Sequence, residues 1–147
     1  MNWKYILPLF ILLIFAGSAA AQSSEEAAVR IPLENYLKAH ATGDPAYARK
    51  AFNSVGNMIW VKDGKYSIES FDHFITRAFT GKPAADEAKR KDHRKIESID
   101  ITGNAAVAKI VLDYPTVKFT DYMTLLKIDG EWKIVNKSYF AEPKTTK

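Results

Sequence analysis

The sequence contains no cysteine, which excludes disulfides, a lipid anchor on an N-terminal cysteine and any thiolate metal site. A fold built from this chain rests on its apolar core alone. The histidines, His40, His73 and His93, lack the close spacing of a ligand pair, so no metal and no other cofactor is expected. Glycine-rich phosphate loops are missing, and no serine sits in a nucleophile-elbow context. Internal repeats and low-complexity linkers are likewise absent. A net charge of +4 over 147 residues is too small a surplus to suggest nucleic acid as a partner. The charges are densest from Asp86 to Lys95, where acidic residues interrupt the basic ones, so the cluster reads as a solvated loop and strand start.

Long apolar runs are scarce as well. The stretch from Ile6 to Phe15 is interrupted by Pro8 and falls short of the ~20 residues that cross a bilayer. With Lys4 before it and Ala19-Ala20-Ala21 behind, it has the form of a secretory signal cleaved after Ala21. The expectation is a leader over 1–21, a domain over 22–141 and a polar tail over 142–147, in a periplasmic or secreted protein without a membrane span. A domain of that length can bury a real core.

Within the domain, Val29, Leu33, Tyr36, Leu37 and His40 mark one face of a first helix, with Pro32 in or near its first turn. Gly43 closes it, and Asp44-Pro45 opens a second helix that turns Tyr47, Ala48, Ala51 and Phe52 inward. A strand over 57–62 runs into the turn signal Asp63-Gly64. Ser67 is the expected cap of a third helix carrying Phe71, Phe74, Ile75, Ala78 and Phe79, a stripe that reads as core. From His93 the period changes to two, giving strands over 93–101, 105–114, 119–128 and 132–139. Helices first and strands last predict an α+β domain with three N-terminal helices on one face of a curved antiparallel sheet.

The helix, "ATGD", short helix, "AF", strand, helix, and then "IESIDITGNAAVAKIVLDYP" followed by "FTDYMTLLKIDGEWKIVNK", resemble the lumazine-binding branch of the nuclear transport factor 2-like superfamily of cone-shaped domains. The resemblance spans nearly all of the chain after the leader. It implies a concave pocket for a small hydrophobic or flat aromatic molecule and often a homodimer. Ketosteroid isomerase-like members carry a helix tyrosine where Tyr36 stands, but Trp60 occupies the place of their catalytic aspartate, and an indole cannot act as a general base.

Strand alternation predicts which side chains face the helices. Treating Lys109, Asp113, Lys127, Lys133 and Lys137 as solvated places Ala108, Ile110, Leu112, Tyr114, Tyr122, Thr124, Leu126, Ile128, Trp132, Ile134, Asn136 and Ser138 on the inner face. A single bulge reverses every assignment beyond it. On this reading Tyr36, Trp60, Tyr114, Tyr122, Thr124 and Asn136 line the pocket. The outer face then carries Val111, Met123, Leu125 and Val135, more apolar surface than an uncovered sheet should show, which points to a sheet-to-sheet homodimer.

Three functions fit this frame. The first is non-catalytic binding of a small flat molecule in the cone. The second is an acid/base enzyme of isomerase, dehydratase or cyclase type, with His93 or Asp121 moving the proton and Tyr36 steadying an oxyanion; Asp121 is expected to point outward and pair with a lysine such as Lys137. The third is a dimeric interaction module whose cone is simply a filled core. No feature of the sequence names the ligand.

Overall fold

The change from helical to alternating periodicity appears in the computed structural model, which describes the backbone of residues 7–145 and the side chains of residues 22–145. The elements run α1 (Leu7–Thr42), α2 (Pro45–Ala51), β1 (Phe52–Lys62), β2 (Lys65–Ser70), α3 (Phe71–Ala78), α4 (Glu87–Arg90), β3 (Arg94–Thr102), β4 (Ala105–Asp113), β5 (Val117–Ile128) and β6 (Glu131–Pro143). The strands form one six-stranded sheet in the order β2-β1-β6-β5-β4-β3. Every neighbouring pair is antiparallel except β1 and β6, which run parallel. The helices pack on one face, so the architecture is the α+β arrangement expected, with a short fourth helix added.

Local chemistry sets most boundaries. The Asp44 carboxylate accepts from Ala46 N at 2.8 Å, and Pro45 stands first in α2, where its missing N–H costs nothing. Asp63-Gly64 and Asp129-Gly130 both have positive φ at each residue, the backbone of the tightest hairpin turns. The helix cap lies at Ser70 and not at Ser67: Ser70 Oγ accepts from His73 N at 3.3 Å. Residues 65–70 form β2, because the Asp63-Gly64 turn returns the chain along β1, with Val61 opposite Tyr66 and Ile59 opposite Ile68. Pro32 lies inside α1, which begins well before it; its ring leaves the Ala28 carbonyl without the usual helical donor. The chain past residue 141 stays paired, Glu142 with Lys118 and Pro143 with Val117. The leader proposed over 1–21 lies outside the residues whose side chains are described.

The core sits between α1 and the hollow side of the sheet. Val29, Leu33, Tyr36 and Ala39 on α1 are fully buried, as are Ile110 on β4, Leu125 on β5 and Ile134 on β6. Gly56 allows β1 to come this close: a Cβ there would stand 2.5 Å from a ring carbon of Phe71 and 2.6 Å from the Val135 carbonyl oxygen.

Two assignments of face are reversed, each for an identifiable reason. On β5 the buried set is Asp121, Met123 and Leu125, while Tyr122, Thr124 and Leu126 are exposed on the outer face. Lys127 misled the alternation: it belongs to the helix side and reaches out at the end of the core to bond Glu25 of α1 at 2.8 Å. On β6 the pairing steps from Leu125↔Ile134 to Thr124↔Asn136, leaving Val135 as an extra residue. Beyond that bulge Lys137 turns inward, and Asn136 turns outward to donate from its amide to Asn57 Oδ1 at 2.8 Å. Met123 and Leu125 are therefore core, and the apolar outer surface consists instead of Val61, Tyr66, Ile68, Val107, Tyr122, Leu126 and Phe140.

Candidate functional site

Between the C-terminal half of α1, α3, α4 and the inner sheet lies a cavity of about 300 Å³, walled by Tyr36, His40, Met58, Phe74, Arg77, Ala78, Arg90, Leu112, Tyr114, Phe119, Lys137 and Tyr139. Aromatic rings make most of the wall. Phe119 lies 6.3 Å from Tyr114 and 6.2 Å from Tyr139, centroid to centroid, so the β5 and β6 side of the cavity is a continuous apolar surface. Such walls with a few convergent polar groups are the usual makeup of a small-molecule site.

The polar groups converge through the β6 bulge. The Tyr36 hydroxyl donates to Asp121 Oδ2 at 2.6 Å and accepts from Lys137 Nζ at 2.8 Å. Lys137 Nζ is also 3.1 Å from Asp121 Oδ1. That contact is an ion pair, not a directed hydrogen bond, since no donor is aligned with this buried oxygen. Asp121 and Lys137 are charged residues buried in the core, at 0% and 4% exposure. The ammonium also lies within about 5 Å of the ring centroids of Tyr36, Phe74 and Tyr139, held in an aromatic cage.

Burial governs how these groups titrate. Lys137 falls below the ordinary lysine value because its charge is desolvated, although Asp121 pulls the other way. Tyr36 rises well above a normal phenol, first through burial and then through the Asp121 charge. His40 lies edge-on to Tyr36 with centroids 4.7 Å apart, and its Nε2 is buried without a partner. Burial, then the positive charges of Lys137, Arg94 and Arg90, hold its imidazole neutral well below the usual range. The cavity thus offers a cationic donor, a phenol locked between partners and a neutral imidazole with a free nitrogen.

The cavity rim is fixed by Arg94, which the charge cluster concealed. Its side chain is only 4% exposed; Nη1 donates to Glu87 Oε1 at 2.8 Å, Nε to the Tyr114 hydroxyl at 2.9 Å and Nη2 to the His40 carbonyl at 3.3 Å. One guanidinium thereby ties α4, the end of α1 and β4's exit together. Arg90, on α4, places its guanidinium 4.4 Å from the Tyr114 ring centroid at the rim.

Of the residues expected in the pocket, Tyr36 and Tyr114 are there. Trp60 stands beside it, with its ring 5.6 Å from that of Tyr139. Tyr122, Thr124 and Asn136 are on the other side of the sheet, displaced by the reversed phase of β5 and the bulge in β6. His93 is exposed in an outer groove with Lys95, Lys109 and Lys118, because the strand turns Arg94 inward instead. Asp121 does pair with Lys137, but both face inward. Sequence reasoning missed Lys137, Tyr139, Phe119 and Arg90. The signal within reach was the alternate phase of β5, in which Asp121 shares a face with Met123 and Leu125.

Among the described residues no group of three or more carboxylate or imidazole side chains is placed to hold a metal. Solved structures share this fold. A nuclear transport factor 2-like protein of unknown function from Shewanella baltica OS155 is 29% identical, with a TM-score of 0.73 over 83% of this chain and 97% of its own. A protein so described from Silicibacter pomeroyi DSS-3 is 25% identical, with a TM-score of 0.70 over 82% of this chain and 98% of its own. Aldolase FrzH of Cladobotryum sp is 28% identical over 127 residues, 83% of this chain and 95% of that protein. Residues 24–140 match the family described as "putative lumazine-binding". That match takes in every wall of the cavity, and the chain belongs to this family, which has the nuclear transport factor 2-like fold.

Proposed function

We propose that the cone is a binding site for a small, flat, partly polar molecule whose carbonyl or other acceptor edge docks on Lys137. One observation carries this reading: Lys137 is a buried cation on the cavity wall that uses one N–H on Tyr36 and lies in an ion pair with Asp121, so it retains donor capacity toward the cavity. The rings of Phe119, Tyr114 and Tyr139 supply stacking surface for the flat part. Lumazine, a planar bicycle with two carbonyl groups, has the required form, and the family description supports testing it first. A thermal-shift series with lumazine, a flavin and a saturated control of similar size is expected to show stabilisation by the flat carbonyl compounds. At a hundred-fold excess over Kd that amounts to about 2.7 kcal/mol. No stabilisation by any of them, at concentrations up to solubility, refutes the reading.

The same polar groups favour a second reading, an enzyme acting on a carbonyl substrate. Tyr36, Asp121 and Lys137 form a closed hydrogen-bonded and ionic set at the cavity wall, the kind of group that polarises a carbonyl and moves a proton. The relative named as an aldolase supports carbonyl chemistry. Here Asp121 keeps the role considered for it, while His93, on the outer surface, has none. Turnover of carbonyl compounds that stabilise the fold, lost in Tyr36→Phe, is the expected result; stabilisation without turnover leaves binding alone.

The export signal over 1–21 and a homodimer complete the proposal. Val107, Tyr122 and Leu126 leave an apolar strip on the outer face that supports a second copy as its cover. Light scattering after size exclusion is expected to give a dimer mass that Tyr122→Glu halves. Intact-mass measurement of protein recovered from an exporting host is expected to begin at Gln22.

A further inference from the structure

A lysine amine does two things according to its protonation: as ammonium it donates hydrogen bonds, and as free amine it attacks carbonyl carbon. Lys137 is placed for the second. Its stem enters from β6 behind the bulge, and its Nζ meets the cavity among the rings of Tyr36, Phe74 and Tyr139. Burial among them keeps bulk water from the nitrogen and slows hydrolysis of anything bonded to it, and the desolvation favours the free amine against the pull of the rings and of Asp121 on the cation. The Tyr36 hydroxyl touches Nζ at 2.8 Å on one side and Asp121 Oδ2 at 2.6 Å on the other. A proton leaving the nitrogen has a path through that oxygen to a carboxylate with a second oxygen lacking an aligned donor.

We propose that Lys137 is the amine of a covalent carbonyl site: its Nζ condenses with an aldehyde or ketone held in the cone to give an iminium beside Asp121. The inference rests on the cone being a ligand site. In the first step the ammonium passes a proton by way of the Tyr36 hydroxyl to Asp121; the freed nitrogen lone pair forms the N–C bond, the C=O pair moves to oxygen, and a second proton passes from nitrogen to that oxygen. In the second step the C–O bond breaks as the proton held on Asp121 joins the departing hydroxyl to give water, and the nitrogen lone pair closes C=N, leaving Asp121 ionised beside the iminium. Overall one ammonium and one carbonyl give one iminium and one water, with no redox change and the positive charge conserved. Asp121 balances the cation before and after. Desolvation that holds Lys137 below the ordinary lysine range works in the same direction.

The probe is propanal with sodium cyanoborohydride, which reduces an iminium to a stable secondary amine, followed by peptide mapping at near-neutral pH. In the native protein Lys137 is expected to be alkylated faster than the exposed lysines by roughly an order of magnitude, and in urea at their common rate. Tyr36→Phe is expected to slow labelling of Lys137 several-fold while leaving exposed lysines unchanged. Lys137 alkylated no faster than exposed lysines in the native wild-type protein overturns the proposal without any variant having to fold. Equal rates in Tyr36→Phe overturn it as written, since the proton path would be idle. If Lys137 stays unlabelled while lumazine still stabilises the fold, the amine is a hydrogen-bond donor only and binding survives. If neither occurs, both readings fall.

Discussion

Replacing Asp121 by Asn keeps the shape of the side chain and an acceptor for the Tyr36 hydroxyl but removes the charge that faces Lys137. Lys137, 4% exposed, then has no counter-ion within the core. Breaking a buried pair from one side costs about 3–5 kcal/mol. A second route to the magnitude gives the same range. The stranded ammonium can escape by releasing its proton, and from the ordinary lysine value of 10.5 down to pH 7 that release costs about 5 kcal/mol at about 1.4 kcal/mol per pH unit. Deprotonation therefore caps the penalty, and the cap falls as the pH rises.

The sign follows from proton counting. In Asp121→Asn the folded chain holds Lys137 neutral while the unfolded chain keeps it charged up to its ordinary value, so stability climbs with pH through the neutral and mildly alkaline range. The native protein, whose Lys137 is lowered but held up in part by Asp121, climbs less steeply. Urea unfolding of both proteins at pH 7 and pH 9 measures the difference. The expected loss is about 3–5 kcal/mol at pH 7 and smaller at pH 9 by up to about 2.7 kcal/mol. Adding Lys137→Met, which fills the lysine stem and strands no charge, is expected to recover most of the loss. A loss below about 1 kcal/mol, or one equal at the two pH values, refutes the account of a desolvated cation at the cavity wall.

Gly56→Ala is expected to cost about 1–3 kcal/mol in urea unfolding, since its Cβ would overlap both the Phe71 ring and the Val135 carbonyl. His40 is lowered well below its ordinary 6.5, so its contribution is full above that value and is lost as the pH falls below it, by at most about 1.4 kcal/mol per unit. His40→Phe is expected to flatten the stability profile between pH 5 and 6.5. Arg94→Lys keeps the charge but cannot hold Glu87, Tyr114 and the His40 carbonyl together; a loss of about 1.5–3 kcal/mol is expected, with faster amide exchange in α4.

How far the molecule is legible in its sequence depends on which physical rule acted alone. Caps and hairpin turns are local, so Asp44-Pro45, Asp63-Gly64 and Asp129-Gly130 were readable from neighbours only. The stripe of Phe71, Phe74 and Ile75 was readable because burial of an apolar helix face has few alternatives. Strand faces are different: one anchor residue fixes the phase of a whole strand. Lys127 looked like a solvent anchor and is an inner-face lysine that snorkels to Glu25, and that single misreading carried Tyr122 and Thr124 into the pocket on paper and Asp121 out of it.

The β6 bulge shows why the site was harder to read than the fold. Alternation places Trp132 and Ile134 inward correctly. Continued by twos it puts Lys137 in water, which is where an unpaired lysine costs least. The structure inserts Val135 as one extra residue, and Gly56 of β1 packs against its carbonyl. That insertion is the step that turns a surface lysine into a buried one, opposite an aspartate whose burial is tolerable only because the lysine arrives. Neither half of the pair is favourable alone, so no residue-by-residue rule predicts either, whereas the pair together with Tyr36 satisfies itself. Polar groups that a fold must bend a strand to bring inside serve poorly as a source of stability, since apolar side chains of similar volume would pack at least as well without the bulge. Their position at the wall of an aromatic cavity, where an incoming molecule meets them, is where they have something to act on.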